Sequence, residues 1–409
     1  MRVVVIGSGI VGAGAAYHLS RRGVAVTVVD GGYPGEATQA GAGIVCPWVD
    51  HPEDDDWYRL TREGARHYPG LVEELGEDIG YAKVGALLVS EDPSDLEPVR
   101  ALLRRRHPAA PEMGDITDVP TPSELFPPLS DDLSAILVPG AARVDGRSVR
   151  DALLRAAVAQ GAQVRAGSAT LTPDGQVLLH AAAGEPYEDT ATPPLPVATA
   201  GVSGETSGET ASWRQAAPLT PAAPPRAGSG IRKAGEGEPL EADVVIVAAG
   251  AWTGEVCRPL GVELPVFPRR GQILHATLEG VDTAWWPIIL PRMGPYLLGF
   301  PDSRVVIGAT VEDVGFAPRV TMGGLDEVVE AGLRVAPGLF NATVTETRVG
   351  LRPVYAPGPA LIGTLTERVI VATGLSAYGL TAGPLTGQIA TALALGETPP
   401  IDISPYAPA

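Results

Sequence analysis

The stretch RVVVIGSGIVGAGAAYHLSRRGVAVTVVD, Arg2 to Asp30, decides the fold. Arg2 to Ile6 is a β-branched run bounded by glycine, the pattern of a buried strand. Ile10 to about Arg22 reads as a helix that Gly23 stops. Val24 to Val29 is a second strand, ending at Asp30. A strand–helix–strand of this length predicts a parallel pair with a right-handed crossover. Gly7-x-Gly9-x-x-Gly12 falls between the strand and the helix. Gly7 permits the tight turn, Gly9 lets backbone approach a pyrophosphate, and Gly12 lets helix and strand pack closely. The helix N-terminus at Ile10 and Val11 offers free N–H groups and a partial positive charge to phosphates. Asp30, about 20 residues further on, is placed to accept from a ribose hydroxyl. An acid there argues against NADP. The motif implies a dinucleotide but does not separate FAD from NAD.

Further along, VDGRSVRDALLRAAVAQGAQVR (Val144 to Arg165) supplies another helix and strand, with Val149, Leu153, Ala156 and Ala157 at helical spacing. Ala242 to Ala249 and Arg368 to Thr373 are near-continuous apolar strands. Each runs into a glycine, Gly250 and Gly374. A long small-residue helix is expected from about Leu380 to Leu395. These pieces are scattered over the chain, so the dinucleotide domain must be discontinuous. The material between them differs in character. Tyr81–Glu91, Pro265–Glu279, Pro287–Phe300 and Arg304–Glu312 read as strands, and Leu325–Val335 as a helix. Such spacing suits a mixed or antiparallel sheet in a second domain. From about Gly184 to Glu241 the chain is rich in Ala, Pro, Gly, Ser and Thr, with Tyr187 and Trp213 its only aromatics. That composition buries too little apolar surface to offset its ordering entropy. It reads as a disordered insertion, with a partner-binding tether as the alternative.

Bulk properties narrow the function classes. The chain has 409 residues, 45 % hydrophobic, with a formal net charge of −18. This balance argues against nucleic acid or an anionic membrane as partner. No apolar run approaches the roughly 20 residues of a membrane helix, and no signal peptide is evident. A cytoplasmic location is expected. Cys46 and Cys257 are too few for a disulfide framework and read as buried hydrophobes. The six histidines show no metal-ligand spacing, so no metal is expected.

Several later segments carry a resemblance. Glu36-Ala37-Thr38-Gln39-Ala40-Gly41-Ala42-Gly43, ADVVIVAAGAWTGEV from Ala242, and Pro268-Arg269-Arg270-Gly271-Gln272 appear in that order. Val349-Gly350-Leu351-Arg352-Pro353 follows, and then ATGLSAYGLTAGPLTG from Ala372. Together they resemble the FAD-dependent amine oxidoreductase superfamily of D-amino-acid oxidase, glycine oxidase and sarcosine oxidase, over nearly the whole chain except the insertion.

The resemblance implies an α/β protein, α+β overall, with a Rossmann-like FAD-binding domain and a substrate domain on a mixed or antiparallel sheet. The FAD-binding domain is expected at 1–80, 141–183, 242–264 and 345–409, and the substrate domain at 81–140 and 265–344. The insertion takes 184–241. Beside the glycine motif and Asp30, the implied cofactor residues are Gly31, Thr38, Ala40, Gly41, Gly43 and Ile44. Further along come Gly250, Trp252, Gly374, Gly379, Leu380 and Thr381, with the Leu380 helix aimed at the flavin pyrimidine edge. Arg352 is expected to clamp a substrate carboxylate, a geometry that suits a guanidinium fork. A structural ion pair is its alternative role. Tyr296 and Tyr378 are candidates for the active-site lining, and equally for core or rim tyrosines.

The implied reaction is hydride transfer from the substrate Cα–H to flavin N5, giving an imine that water hydrolyses. The substrate would be a small amino acid, and the electron acceptor oxygen or a quinone. No cysteine follows Cys257 and no histidine follows His275, so non-covalent FAD is expected. Three positions depart from the family pattern. Leu375-Ser376 stands where relatives carry histidine, Ala377-Tyr378 where the glycine-oxidase branch has arginine, and Ala356-Pro357-Gly358 where T-P-D-G is usual. A flavin-binding subunit that is inactive or needs a partner is the second reading, and an NAD-dependent dehydrogenase the third.

Overall fold

The computed structural model describes residues 1–180, 237–292 and 294–408. The Arg2–Ile6 strand is central to a six-stranded sheet. Ala25–Asp30 and then Gln163–Ala166 lie to one side of it. Val244–Val247, Val369–Thr373 and the antiparallel edge strand Leu361–Thr364 lie to the other. All other pairings in the sheet are parallel. The valine-rich runs are buried on both faces, as a parallel sheet requires. The chain leaves the central strand in both directions, so a crevice opens at the carboxyl ends of the strands.

Helix Ile10–Ser20 is buried along its whole length. It packs on the C-terminal helix Gly379–Leu395, which is almost as buried. Small residues bring the two backbones together: a Cβ on Gly387 would stand 2.6 Å from the Ala15 nitrogen.

The second sheet has eight strands. Thr343–Tyr355 forms one edge and pairs along its length with Val266–Thr277. Arg304–Gly308, Tyr296–Phe300, Ile288–Pro291, Ala86–Ser90, Ser134–Val138 and Thr117–Val119 continue from there. Only the contact of Ile288–Pro291 with Ala86–Ser90 is parallel. Pro353 sits on the edge strand, where a missing N–H costs no ladder bond.

Two expected boundaries need correction. The strand Thr343–Tyr355 is continuous, so a division at 344/345 would cut it. Its antiparallel pairing with Val266–Thr277 keeps it in the larger sheet as far as Tyr355. The expected insertion 184–241 falls mostly outside the described residues, as do Tyr187 and Trp213. Its last part is ordered, however: Glu238–Leu240 pairs antiparallel with Val177–His180 and buries Leu240. Both cysteines are free and buried.

Helix Asp55–Leu75, which the sequence reading passed over, spans 21 residues. Asp54 caps it by accepting from the Trp57 N–H at 2.7 Å, and left-handed Gly76 ends it. It buries Trp57, Leu60, Gly64, Tyr68 and Leu71 on one face. Tyr68 donates its hydroxyl to the Leu380 carbonyl, so this helix fixes the start of the C-terminal helix. Among the described residues, no helix is long and apolar enough to cross a membrane.

Candidate active site

A long, mainly apolar cavity lies between the two sheets. Its floor is made of the carboxyl ends of four parallel strands, at Ile6–Val11, Val29–Gly31, Ala248–Trp252 and Ala372–Thr373. At the first turn Gly7 has φ +100°, and a Cβ there would sit 2.4 Å from the Ala248 carbonyl oxygen. Gly9 leads into the helix without a side-chain cap, so helix N–H groups remain open to a ligand. The Ile10 N–H donates to Thr38 Oγ1 at 3.0 Å. The Asp30 carboxylate is fixed by two main-chain N–H groups, Ser8 and Gly32, each at 2.7 Å. From the far side Arg150 donates to the Ser8 carbonyl at 3.0 Å and to its hydroxyl at 2.7 Å, bracing the turn.

The other end belongs to the second sheet. Arg352 pairs across from Arg269, two residues from Gly271. Its Nη1 donates to the main-chain carbonyls of Thr310 at 3.0 Å and Arg270 at 3.2 Å. Tyr296 shares a hydrogen bond with the same guanidinium. Burial pushes the Tyr296 phenol up to about 12, and the cation beside it opposes the shift. The Thr310 carbonyl is itself anchored. Thr310 Oγ1 accepts from the Gln272 N–H at 2.9 Å and donates to Glu312 at 2.7 Å, and Glu312 is ion-paired with buried Arg270. Among the described residues, Arg352 has no carboxylate partner.

Most of the expected residues line this one cavity. Gly7, Gly9, Ile10, Val11, Asp30 and Gly31 come from the first unit. Thr38, Ala40, Gly41, Gly43 and Ile44 come from the small-residue loop. Gly250, Trp252, Gly379 and Leu380 join them, as do Tyr296 and Arg352.

Four stand behind the wall. Gly12 packs the helix on its strand, where a Cβ would lie 1.9 Å from the Gly7 carbonyl oxygen. Gly374 turns toward Tyr355 and Leu361. Thr381 donates to the Ile44 carbonyl at 2.9 Å. Tyr378 packs among His51, Trp57 and Asp50, because the Ser376–Tyr378 turn swings its ring outward.

The sequence reading missed Tyr33, Glu36 as a wall residue, and Ser376. Tyr33 stacks on Trp252 with ring centroids 5.6 Å apart, an aromatic three places after Asp30. Burial and the nearby Asp30 charge hold the Glu36 carboxyl above the usual carboxylate range. Ser376 has φ +49° and occupies one of the departures from the family pattern.

The cavity suits a dinucleotide on structural grounds. A Cβ at Gly250 or Gly379 would meet nothing within 4 Å, and Gly9 faces only Thr38 Oγ1 at 3.3 Å, so the walls are clear of side chains there. The fixed carboxylate and open helix terminus supply the polar contacts that a nucleotide needs. Residues 2–393 match the family model described as FAD dependent oxidoreductase. The chain belongs to that family. It is therefore an FAD-dependent oxidoreductase with a Rossmann-like cofactor domain, and an NAD-dependent dehydrogenase is set aside.

The chain is 38 % identical to the uncharacterized oxidoreductase YurR of Bacillus subtilis (strain 168), over 99 % of this chain and 98 % of that one. It is 28 % identical to a glycine oxidase of Pseudomonas aeruginosa over 100 % of this chain and 98 % of the other. Among solved structures it is similar to the iminodiacetate oxidase IdaA of Chelativorans sp. BNC1. There the identity is 39 %, the TM-score 0.84, and coverage 100 % of this chain and 99 % of that one.

Proposed function

We propose that this protein oxidises the C–N bond of a small amino acid of the D-amino-acid, glycine or sarcosine type, giving an imine that water hydrolyses. The observation that carries this reading is Arg352. It is a half-buried guanidinium on the cavity wall, held by two carbonyls and a phenol and paired with no acid among the described residues. A cation fixed in this way is suited to a carboxylate from outside. Tyr296 strengthens the reading. It remains a phenol at neutral pH, accepts from Arg352, and keeps its own hydrogen to donate to a substrate carboxylate oxygen. The likeness to an iminodiacetate oxidase adds a secondary amine with two carboxylates to the candidate substrates.

The Gly7–Gly12 turn and first helix would hold the pyrophosphate, Asp30 a ribose, and the Thr38–Ile44 loop with Gly379 and Leu380 the flavin end. Neither cysteine nor histidine is among the lining residues, which supports non-covalent FAD. When bound, FAD supplies the acceptor for the substrate Cα hydride. The chain contributes orientation: Arg352 and Tyr296 fix the carboxylate, and the apolar wall excludes water. A neutral amine in that pose needs positioning more than a protein acid or base, and no histidine or lysine lines the cavity.

Replacing Arg352 by alanine tests the assignment. A charge-assisted contact is worth about 1.5–3 kcal/mol, so KM for carboxylate substrates should rise about 10- to 150-fold. FAD should stay bound. Unchanged kcat/KM would refute the role.

A further inference from the structure

Arg106 ends helix Glu97–Arg106 and is 5 % exposed. Its guanidinium grips a single turn by three main-chain carbonyls. Nη1 donates to Trp48 at 2.9 Å and Asp50 at 2.7 Å, and Nη2 to His51 at 2.8 Å. Its face lies over the Tyr58 ring, 3.9 Å from the centroid. A buried cation is costly unless its donors are used, and here they are spent on backbone. The turn it holds is under strain, since His51 has φ +50°.

Two side chains of that turn meet Tyr378. The Tyr378 hydroxyl donates to Asp50 Oδ2 at 3.2 Å, and His51 Nε2 lies 3.2 Å from the Tyr378 hydroxyl oxygen. A phenol has one hydrogen, so His51 must offer Nε2–H. Trp57 backs both rings, with centroids 4.2 Å from His51 and 4.5 Å from Tyr378. Tyr378 closes the turn that begins at Ser376. Ser376 is itself strained and lines the cavity with Ala377. The residue before it, Leu375, bridges Val354, two positions beyond Arg352. A strained residue behind the wall and another within it are thus tied through one hydroxyl.

We infer that Arg106 is a positioning residue for the oxidation: by gripping the 48–51 turn it sets Asp50 and His51, which hold Tyr378 and so the Ser376–Ala377 wall. The inference rests on the reading of the cavity as the site of amine oxidation.

The test uses FAD-loaded protein and the variants R106K, Y378F and R106K/Y378F. R106K keeps the charge but replaces the fork with an ammonium that cannot span three carbonyls. Y378F keeps the ring and removes the hydroxyl. Three quantities are measured: visible circular dichroism of the oxidised flavin, KM and kcat with glycine and iminodiacetate, and the thermal midpoint. Each single variant should alter the flavin dichroism and raise KM about fivefold or more, with the double variant no worse than the more severe single, because both lie on one path. Unchanged dichroism and KM in R106K beside a lowered midpoint would overturn the inference, leaving Arg106 a brace alone. So would multiplicative effects in the double variant. If R106K does not fold, D50N is read by the same criteria. Altered dichroism in the variants, with no amine turned over by the parent, would reject the amine reading and keep the positioning role.

Discussion

Arg352 is confined by what surrounds it, and one of those neighbours is the absence of a side chain. A Cβ at Gly271 would stand 2.4 Å from Nη2 and 2.5 Å from Cζ. Gly271→Ala should therefore displace the guanidinium and raise KM for carboxylate substrates by about tenfold or more, with FAD retained. Steady-state kinetics alongside the flavin spectrum would check it, and a parental KM would show that the fork tolerates the shift. Tyr296→Phe removes a donor in the same place and should act in the same direction. Arg352 was legible in the sequence through the Val349–Pro353 segment. Of its partners, Tyr296 was named only as a candidate lining residue and Thr310 not at all. Their meeting with Arg352 depends on the register of Tyr296–Phe300 and of Arg304–Gly308, the strand just before Thr310, which a sequence does not reveal.

At the scale of elements, the parallel strands were legible because burial on both faces demands unbroken apolar runs. The helix Asp55–Leu75 was passed over, although Asp54 as a cap and apolar residues at 57, 60, 64, 68 and 71 were there to read. Its acidic start and internal Pro69 resemble loop signals, and tertiary packing on the C-terminal helix overrides them. The edge strand Thr343–Tyr355 was likewise hidden behind the arginine motif it carries. Asp54→Ala should cost about 1 kcal/mol, read as a lowered thermal midpoint with the flavin spectrum intact. Gly64→Val should do more. A Cβ there would lie 2.5 Å from the Thr381 carbonyl oxygen, so the C-terminal helix must move and FAD retention should fall. Gel filtration with the absorbance ratio of flavin to protein measures that loss.

The whole molecule places one sheet's strand ends against the other sheet's edge, and acid should weaken it. Burial depresses His18 to about 3, with neighbouring His67 adding to the effect, and depresses His275 to about 4, helped by the Arg348 and Arg304 charges. The unfolded chain binds these protons near 6.5, so their contribution is fully present above that value. It is lost as pH falls through the folded values. The thermal midpoint should fall between pH 7 and 4, and less steeply in a His18→Gln/His275→Gln variant. An equal slope in both proteins would assign the loss to other groups. The most direct test of the amine-oxidation reading is anaerobic titration of the FAD-loaded protein with glycine, sarcosine, D-alanine and iminodiacetate. At least one should bleach the visible flavin absorbance, with Arg352→Ala needing about tenfold more of it. A flavin that dithionite bleaches but that none of these amines reduces would contradict it.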